Sequence, residues 1–311
     1  MFFGGPNGGE VFFGGTSNPF QMRGDPGSLG IEGTDMPTVR TGDTDAPRVH
    51  GQYIGLDLLS GRDITVTLDV GPPYGTYGSL HSAMDFLRAI LTPSGSTESP
   101  LYLQLSSSSP QLVAMVRPRK RTNNIDIPYV AGLAQTVAIQ FHATDPAFYA
   151  AQTLDPSVQV PTPLGGMSFN MAFNLSFGGG SFAAIINAVN YGDLPCYPII
   201  TFTGPCTYPT LTNSTITNNP YVQFAVTMNT GDTLVVNTDP KYRSAQYYTA
   251  GSTVGASRLY TLTQGSNWWP LPGGFTVGAP FTSVLQFTTL DASPVTGSCT
   301  CEYSSAYSAA N

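Results

Sequence analysis

Three histidines, four cysteines, two adjacent tryptophans and one run of basic residues are the side chains on which a chemical function could be built. His50, His81 and His142 fall in an expected loop, at a helix start and in a strand, and none has a metal partner at the spacing of His-Glu-x-x-His. Cys196, Cys206, Cys299 and Cys301 form no Cys-x-x-Cys pair, which makes a zinc site a poor reading. Small buried apolar side chains, with one bridge open to them after release from the cell, are expected instead. Asp35, Asp43 and Asp45 lack the spacing and closing glutamate of a calcium loop and read as solvated turn residues. The N-terminal glycines match neither phosphate-binding pattern, and no Gly-x-Ser-x-Gly elbow is present. No catalytic constellation, metal or cofactor is expected, and the chain does not read as an enzyme.

Two features could bind a partner. Arg117-Pro118-Arg119-Lys120-Arg121 holds four of the 12 basic residues in a chain of net charge −7. Such a run faces water as a solvated turn, or it faces an anion: an acidic neighbour in an assembly, or passing nucleic acid. Trp268 and Trp269 precede a Pro-Leu-Pro-Gly-Gly turn. Exposed on a β-sandwich they could stack on sugar rings, a lectin-like role; the alternative is that they fill the edge of the sandwich, the commoner use of large aromatics.

The elements that would carry these residues are mostly strands. From Ile64 to Val70 apolar and polar residues alternate without a fault, the period of a strand with one face on a core. The Gly61-Arg62 turn before it must then hold the register, because a slip of one residue would bury Thr65, Thr67 and Asp69. Leu80 to Leu91 is the one convincing helix, with Leu80, Met84, Leu87 and Leu91 on a stripe widened by Phe86 and Ile90 and with Ser79 as its cap. Leu101–Leu105 and Val113–Arg117 read as a hairpin, and Ala134–His142 closes the sheet. Phe2-Phe3 and Phe12-Phe13 frame turn residues, which suggests a hairpin or extended arm lying on its own domain or on a neighbouring subunit. Residues 21–50 are rich in Gly, Pro and Asp and read as a long surface segment with one strand near Val39.

Composition agrees with this. Only 10% of the 311 residues are charged, against roughly 25% in an average soluble protein, while Gly (34) and Pro (26) abound. That predicts a mainly β chain of short strands, with surface covered by other subunits. The acidic balance argues against a general nucleic-acid binder. Met1-Phe2-Phe3-Gly4-Gly5 lacks the basic start of a signal peptide, and no segment approaches the roughly 20 apolar residues of a membrane span, so a soluble protein made in a cytoplasm is expected. The division expected is an arm and extended segment over 1–50 belonging to a first domain over 51–149, a Pro-rich linker over 150–166, and an all-β sandwich of about nine strands over 167–311.

Several phrases, in order, resemble the distal tail protein of long non-contractile-tailed bacteriophages, a minor tail protein. In the first domain they are Gly55-Leu56-Asp57-Leu58-Leu59-Ser60-Gly61-Arg62 leading into Ile64-Thr65-Val66, the helix from Leu80, Val116 to Arg121, and Gln140 to Tyr149. In the second they are Asn190-Tyr191-Gly192-Asp193, Pro198 to Pro205, Gly231 to Thr238, and the turn from Trp268 to Gly273. The resemblance covers roughly residues 50 to 290. It implies two β-sandwich domains, the first with one packed helix and the second galectin-like, or jelly-roll-like.

It also implies a structural role at the distal end of the phage tail in the virion. There the first domain forms a ring of the protein with itself, six-membered in that family. The ring joins the tail tube protein to tail-tip hub or fibre proteins, neighbours the tape measure protein and leaves a channel for genome DNA, without membrane insertion. On this reading Phe2, Phe3, Phe12, Phe13, Thr65, Thr67 and Asp69 are ring contacts, and Arg117, Arg119, Lys120 and Arg121 meet an acidic neighbour. The rival reading is a host-attachment module that binds a surface glycan through Trp268 and Trp269.

Overall fold

In the computed structural model the backbone is described for residues 2–3, 10–13 and 16–22, and backbone and side chains for 30–47, 50–71, 78–92, 95–104, 109–123, 125, 127–160, 184–274, 279–291 and 296–310. The chain forms two compact units, Met1–Ala151 with Tyr307–Asn311, and Gln152–Ala306. The last residues, expected in the second domain, therefore belong to the first. A strand at Ser157–Gln159, in the segment expected as a linker, belongs to the second.

The alternating residues produce the central strand of the first unit, Arg62–Val70, with Ile64, Val66, Leu68 and Val70 fully buried. The phase starts two residues earlier than the apolar pattern does, so Arg62 is a buried strand residue and not part of a turn. Both backbone edges of this strand are occupied. Gln135–Ala143 pairs along its whole length, and the other edge is shared by Thr16–Met22 and Ile31–Glu32. Ser99–Leu103 pairs with Leu112–Val116 on one side and with Phe2–Phe3 on the other, so the pairings through Glu10–Phe13 and Thr16–Met22 run in a closed circuit. The helix Leu80–Ile90 starts where Ser79 caps it, accepting from the Ser82 amide at 3.2 Å, and buries Leu80, Ala83, Met84 and Leu87. Those side chains and the inward faces of the strands share one core; Phe86 and Leu91 pack at its margin, while Ile90 is exposed.

The second unit has a six-stranded and a four-stranded antiparallel sheet. Phe202 of the first meets Phe287 of the second with ring centroids 5.7 Å apart, and Phe224 edge-on at 6.5 Å, which stitches the sheets into a sandwich. Most expected strands are present with trimmed ends, among them Ile199–Thr203, Thr233–Asn237, Phe281–Thr288 and Ser298–Glu302. Ser244–Tyr248 is a strand outside the expected set, although Tyr247 and Tyr248 favour strands, and it buries Ala245 and Tyr247 in alternation. Arg258–Thr263, expected as a strand, contains a 3-10 turn at Leu259–Thr261. The strand expected over 167–174 lies outside the described residues.

Candidate assembly surface

Between Ile31–Glu32 and the central strand the chain leaves the body as an antiparallel hairpin. Val39–Arg40 pairs with Leu58–Leu59 near its base, and Thr44–Asp45 with Gln52–Tyr53 near its tip. Two hydrogen bonds anchor the carboxylates within it: the Gly55 backbone amide donates to Asp43 at 2.7 Å and the Gln52 side-chain amide to Asp45 at 2.8 Å. Between the two ladders the strands nearly touch. A Cβ on Gly55 would lie 2.1 Å from the Gly42 carbonyl, so this crossing requires glycine. The apolar side chains stay outside: Ile54 is 97% exposed, and Tyr53, Leu56 and Leu58 are exposed with it. Sequence reasoning found the strand at Val39 but missed the hairpin; the signal was the apolar pair Ile54 and Leu56 near Gly42 and Gly55, in a segment otherwise built of turn residues.

The basic run does not form a turn. It continues the strand Leu112–Asn123, and the register shift between Pro118 and Lys120 absorbs the proline as a β-bulge. Arg117 faces Glu98, N to O 3.7 Å, and is half-buried. Arg119, Lys120 and Arg121 have no ion-pair partner among the described residues, and Arg119 and Lys120 are exposed. From Arg117 onward the strand pairs only with Gln135–Ala143, leaving its other edge unpaired among the described residues. Just past its end Ile125, Ile127 and Val130 are each exposed, Ile127 at 83%.

Thr65, Thr67 and Asp69 lie half-buried on the outer face of the central strand, and Asp69 accepts from the Thr136 hydroxyl at 2.6 Å. The backbones of Phe2–Phe3 and Glu10–Phe13 are committed to the first sheet as a hairpin docked on its own unit; their side chains lie outside the description. Trp269 is buried and cannot stack on a sugar, and Trp268 is half-buried with the Arg243 guanidinium 5.4 Å from its ring centre. The turn containing them is a packing device. The Asn190 side chain, fully buried, donates to the carbonyls of Leu194, Leu271 and Pro272 and accepts from the Gly192 amide, so the Asn190–Asp193 and Trp268–Gly273 phrases meet.

The cysteines are free and buried. Burial pushes the thiols of Cys196 and Cys206 up to about 12 and those of Cys299 and Cys301 well above their ordinary value, so all four stay protonated and inert.

No family model matches the chain, and no curated protein sequence matches it. Among solved structures it is similar to the SPP1 Dit protein (gp 19.1), described as a paradigm of the hub adsorption apparatus in phages infecting Gram-positive bacteria. That likeness has a TM-score of 0.56 at 16% identity and covers 89% of this chain and 91% of the other. It also matches the phage P2 baseplate in its activated conformation with Ca, with a TM-score of 0.44 at 11% identity over 91% of this chain and 90% of that one. The first likeness extends over both units and shows a shared fold.

Proposed function

We propose that this chain is a structural protein of a phage tail tip. Six copies form a ring that joins the tail tube to tip or fibre proteins and leaves a channel for the genome. The fold shared with SPP1 Dit, a hub protein, supports the tail-tip part of this reading. The observation that carries the ring is the hairpin between Val39 and Leu59, whose Tyr53, Ile54, Leu56 and Leu58 are left in water by a single copy. A two-stranded hairpin is marginal by itself, and contiguous exposed apolar groups mark a surface that another chain covers. The low surface charge and the absence of a catalytic cluster in the sequence fit a part that holds neighbours and carries out no reaction.

Light scattering and native mass spectrometry across a range of concentrations test the ring, and electron microscopy of mixtures with purified tail tubes tests the attachment. A discrete six-fold species that caps tube ends is the expected result. A monomer at every concentration that also leaves tube ends bare would overturn the proposal.

A further inference from the structure

We propose that residues 308–310 are a strap that makes the hairpin fit for assembly, so that a copy joins its neighbours only after its second unit has been made and has folded. This rests on the ring reading and adds a control on the surface which that reading uses.

Both legs of the hairpin end at one hydrogen-bonded knot. The entering leg comes through Gly33, Thr34 and Asp35, and the carbonyls of all three are held. Gly33 and Asp35 accept from Arg62 Nη1 at 3.0 and 2.8 Å, and Thr34 accepts from the Ala310 amide at 2.9 Å. The leaving leg ends at Arg62 itself, just after the Ser60 amide has closed the base by donating to Thr38 at 2.9 Å. Arg62 also donates to the Ser308 carbonyl, so the strap enters the knot twice. Its far end is anchored, because Ala310 is buried in the core of the first unit. A two-stranded hairpin with no core face is marginal, and fixing both legs holds the exposed Tyr53, Ile54, Leu56 and Leu58 ready for a neighbour. Without the strap, ordering the legs becomes an added cost of docking and lowers the apparent affinity.

The strap arrives late. Arg62 and Ser308 are 246 residues apart, and the whole second unit, Gln152–Ala306, lies between them. At about 5–20 residues per second, the hairpin is made on the order of ten seconds or more before the strap. Folding of the second unit then brings the strap back. Within that unit Leu154 and Tyr303 exchange both backbone hydrogen bonds, at 2.8 and 2.9 Å, which pins the departing chain beside the returning one. An unfolded second unit leaves the strap at the end of a long open loop, whose closure costs chain entropy. Hairpins on nascent or damaged copies therefore stay loose, which keeps those copies out of a growing ring.

A proline in the strap tests this in the full chain. Ala310→Pro deletes the N–H that Thr34 accepts; Ala310→Gly, which keeps the N–H and loses only the buried methyl, is the control. Self-association by light scattering should weaken at least about tenfold in the proline variant and stay near the parent in the glycine variant, with the tryptophan fluorescence midpoint of the second unit unchanged in both. Parent-like assembly of the proline variant overturns the strap. Equal loss in both variants does so too, since packing at residue 310 would then account for it. The unmodified chain gives a second test that needs no variant. In native-state hydrogen exchange below the association range, the Ser60 and Ala310 amides should open together as urea rises, and both by the concentration at which tryptophan fluorescence reports the second unit unfolded. A Ser60 amide that stays protected after Ala310 has opened, or that opens while Ala310 stays protected, overturns the strap and leaves the ring reading standing. A parent chain that never self-associates overturns the ring reading itself, and this inference with it.

Discussion

Arg62 lies in phase with Ile64, Val66, Leu68 and Val70, so the alternation delivers a guanidinium to the buried face of the strand. Its five N–H groups suit this position because carbonyls converge on it. Nε and Nη2 donate to Pro146 at 3.0 and 2.8 Å, Nη1 to Gly33 and Asp35 at 3.0 and 2.8 Å, and Nη2 also to Ser308. Phe148 closes the site from below, 4.0 Å from the guanidinium carbon. Desolvation lowers the Arg62 pKa to about 10, partly opposed by Asp35, which leaves the group charged at neutral pH. Arg62→Ala would orphan four carbonyls and should cost on the order of 3 kcal/mol or more by urea unfolding. Arg62→Lys should recover little, because a single ammonium cannot span them.

Asp232 makes the matching prediction in the second unit. It accepts from Tyr247 at 2.5 Å and from the amides of Asn229 and Ala250, and these bonds, Tyr247 first, hold its pKa below the usual carboxylate value. A carboxylate depressed in the folded state contributes stability that is full above its unfolded pKa of about 4 and is lost as pH falls through the folded value. The urea midpoint read by tryptophan fluorescence should fall with acidification below about pH 4. In Asp232→Asn it should be lower at neutral pH and flatter over that window.

At the scale of elements, what the sequence made legible was whatever is enforced by periodicity. The Ile64–Val70 strand, the Ser79-capped helix and most strands of the sandwich follow from patterns of two and 3.6. Arg62 was legible only as phase, since a charged residue at a buried position looks like a turn until its acceptors are known. Those acceptors come from Gly33, Asp35, Pro146 and Ser308, positions as far as 246 residues away along the chain. The hairpin was hidden for the opposite reason: it has no core face, so no apolar period announces it. Its shape rests on the close passage of Gly42 and Gly55. Gly55→Ala should splay the two strands while leaving the core untouched. The expected outcome is unchanged thermal unfolding with self-association weakened about tenfold or more, since ordering the splayed strands adds a conformational cost to docking. Loss of the fold, or full assembly, would show that the hairpin's geometry is not what neighbours read.

For the whole molecule, the chain path matters more than the order of the domains suggests. The second unit is inserted into the first: the chain leaves after Ala151 and returns at Tyr307. The returning residues are structural parts of the first unit. Ala306–Tyr307 extends its sheet beside Phe148–Ala150, Ala310 is buried in its core, the Ala310 amide donates to Thr34 at 2.9 Å, and Ser308 supplies one of the Arg62 acceptors. A sandwich that simply followed the first unit could be trimmed at its end without consequence for that unit. An inserted one could not, because its far end is the first unit's last strand. Removing residues 307–311 should therefore destabilise the first unit by on the order of 2–3 kcal/mol, through the lost charged hydrogen bond and the burial of Tyr307 and Ala310. The second unit should be spared. Both tryptophans lie in that unit, so the two responses separate experimentally: far-ultraviolet circular dichroism should show an early transition in the truncated chain, and tryptophan fluorescence should keep the parent midpoint. Coincident loss of both signals would mean that the units unfold as one. An unchanged dichroism curve would mean that the return strand contributes nothing to the core it enters.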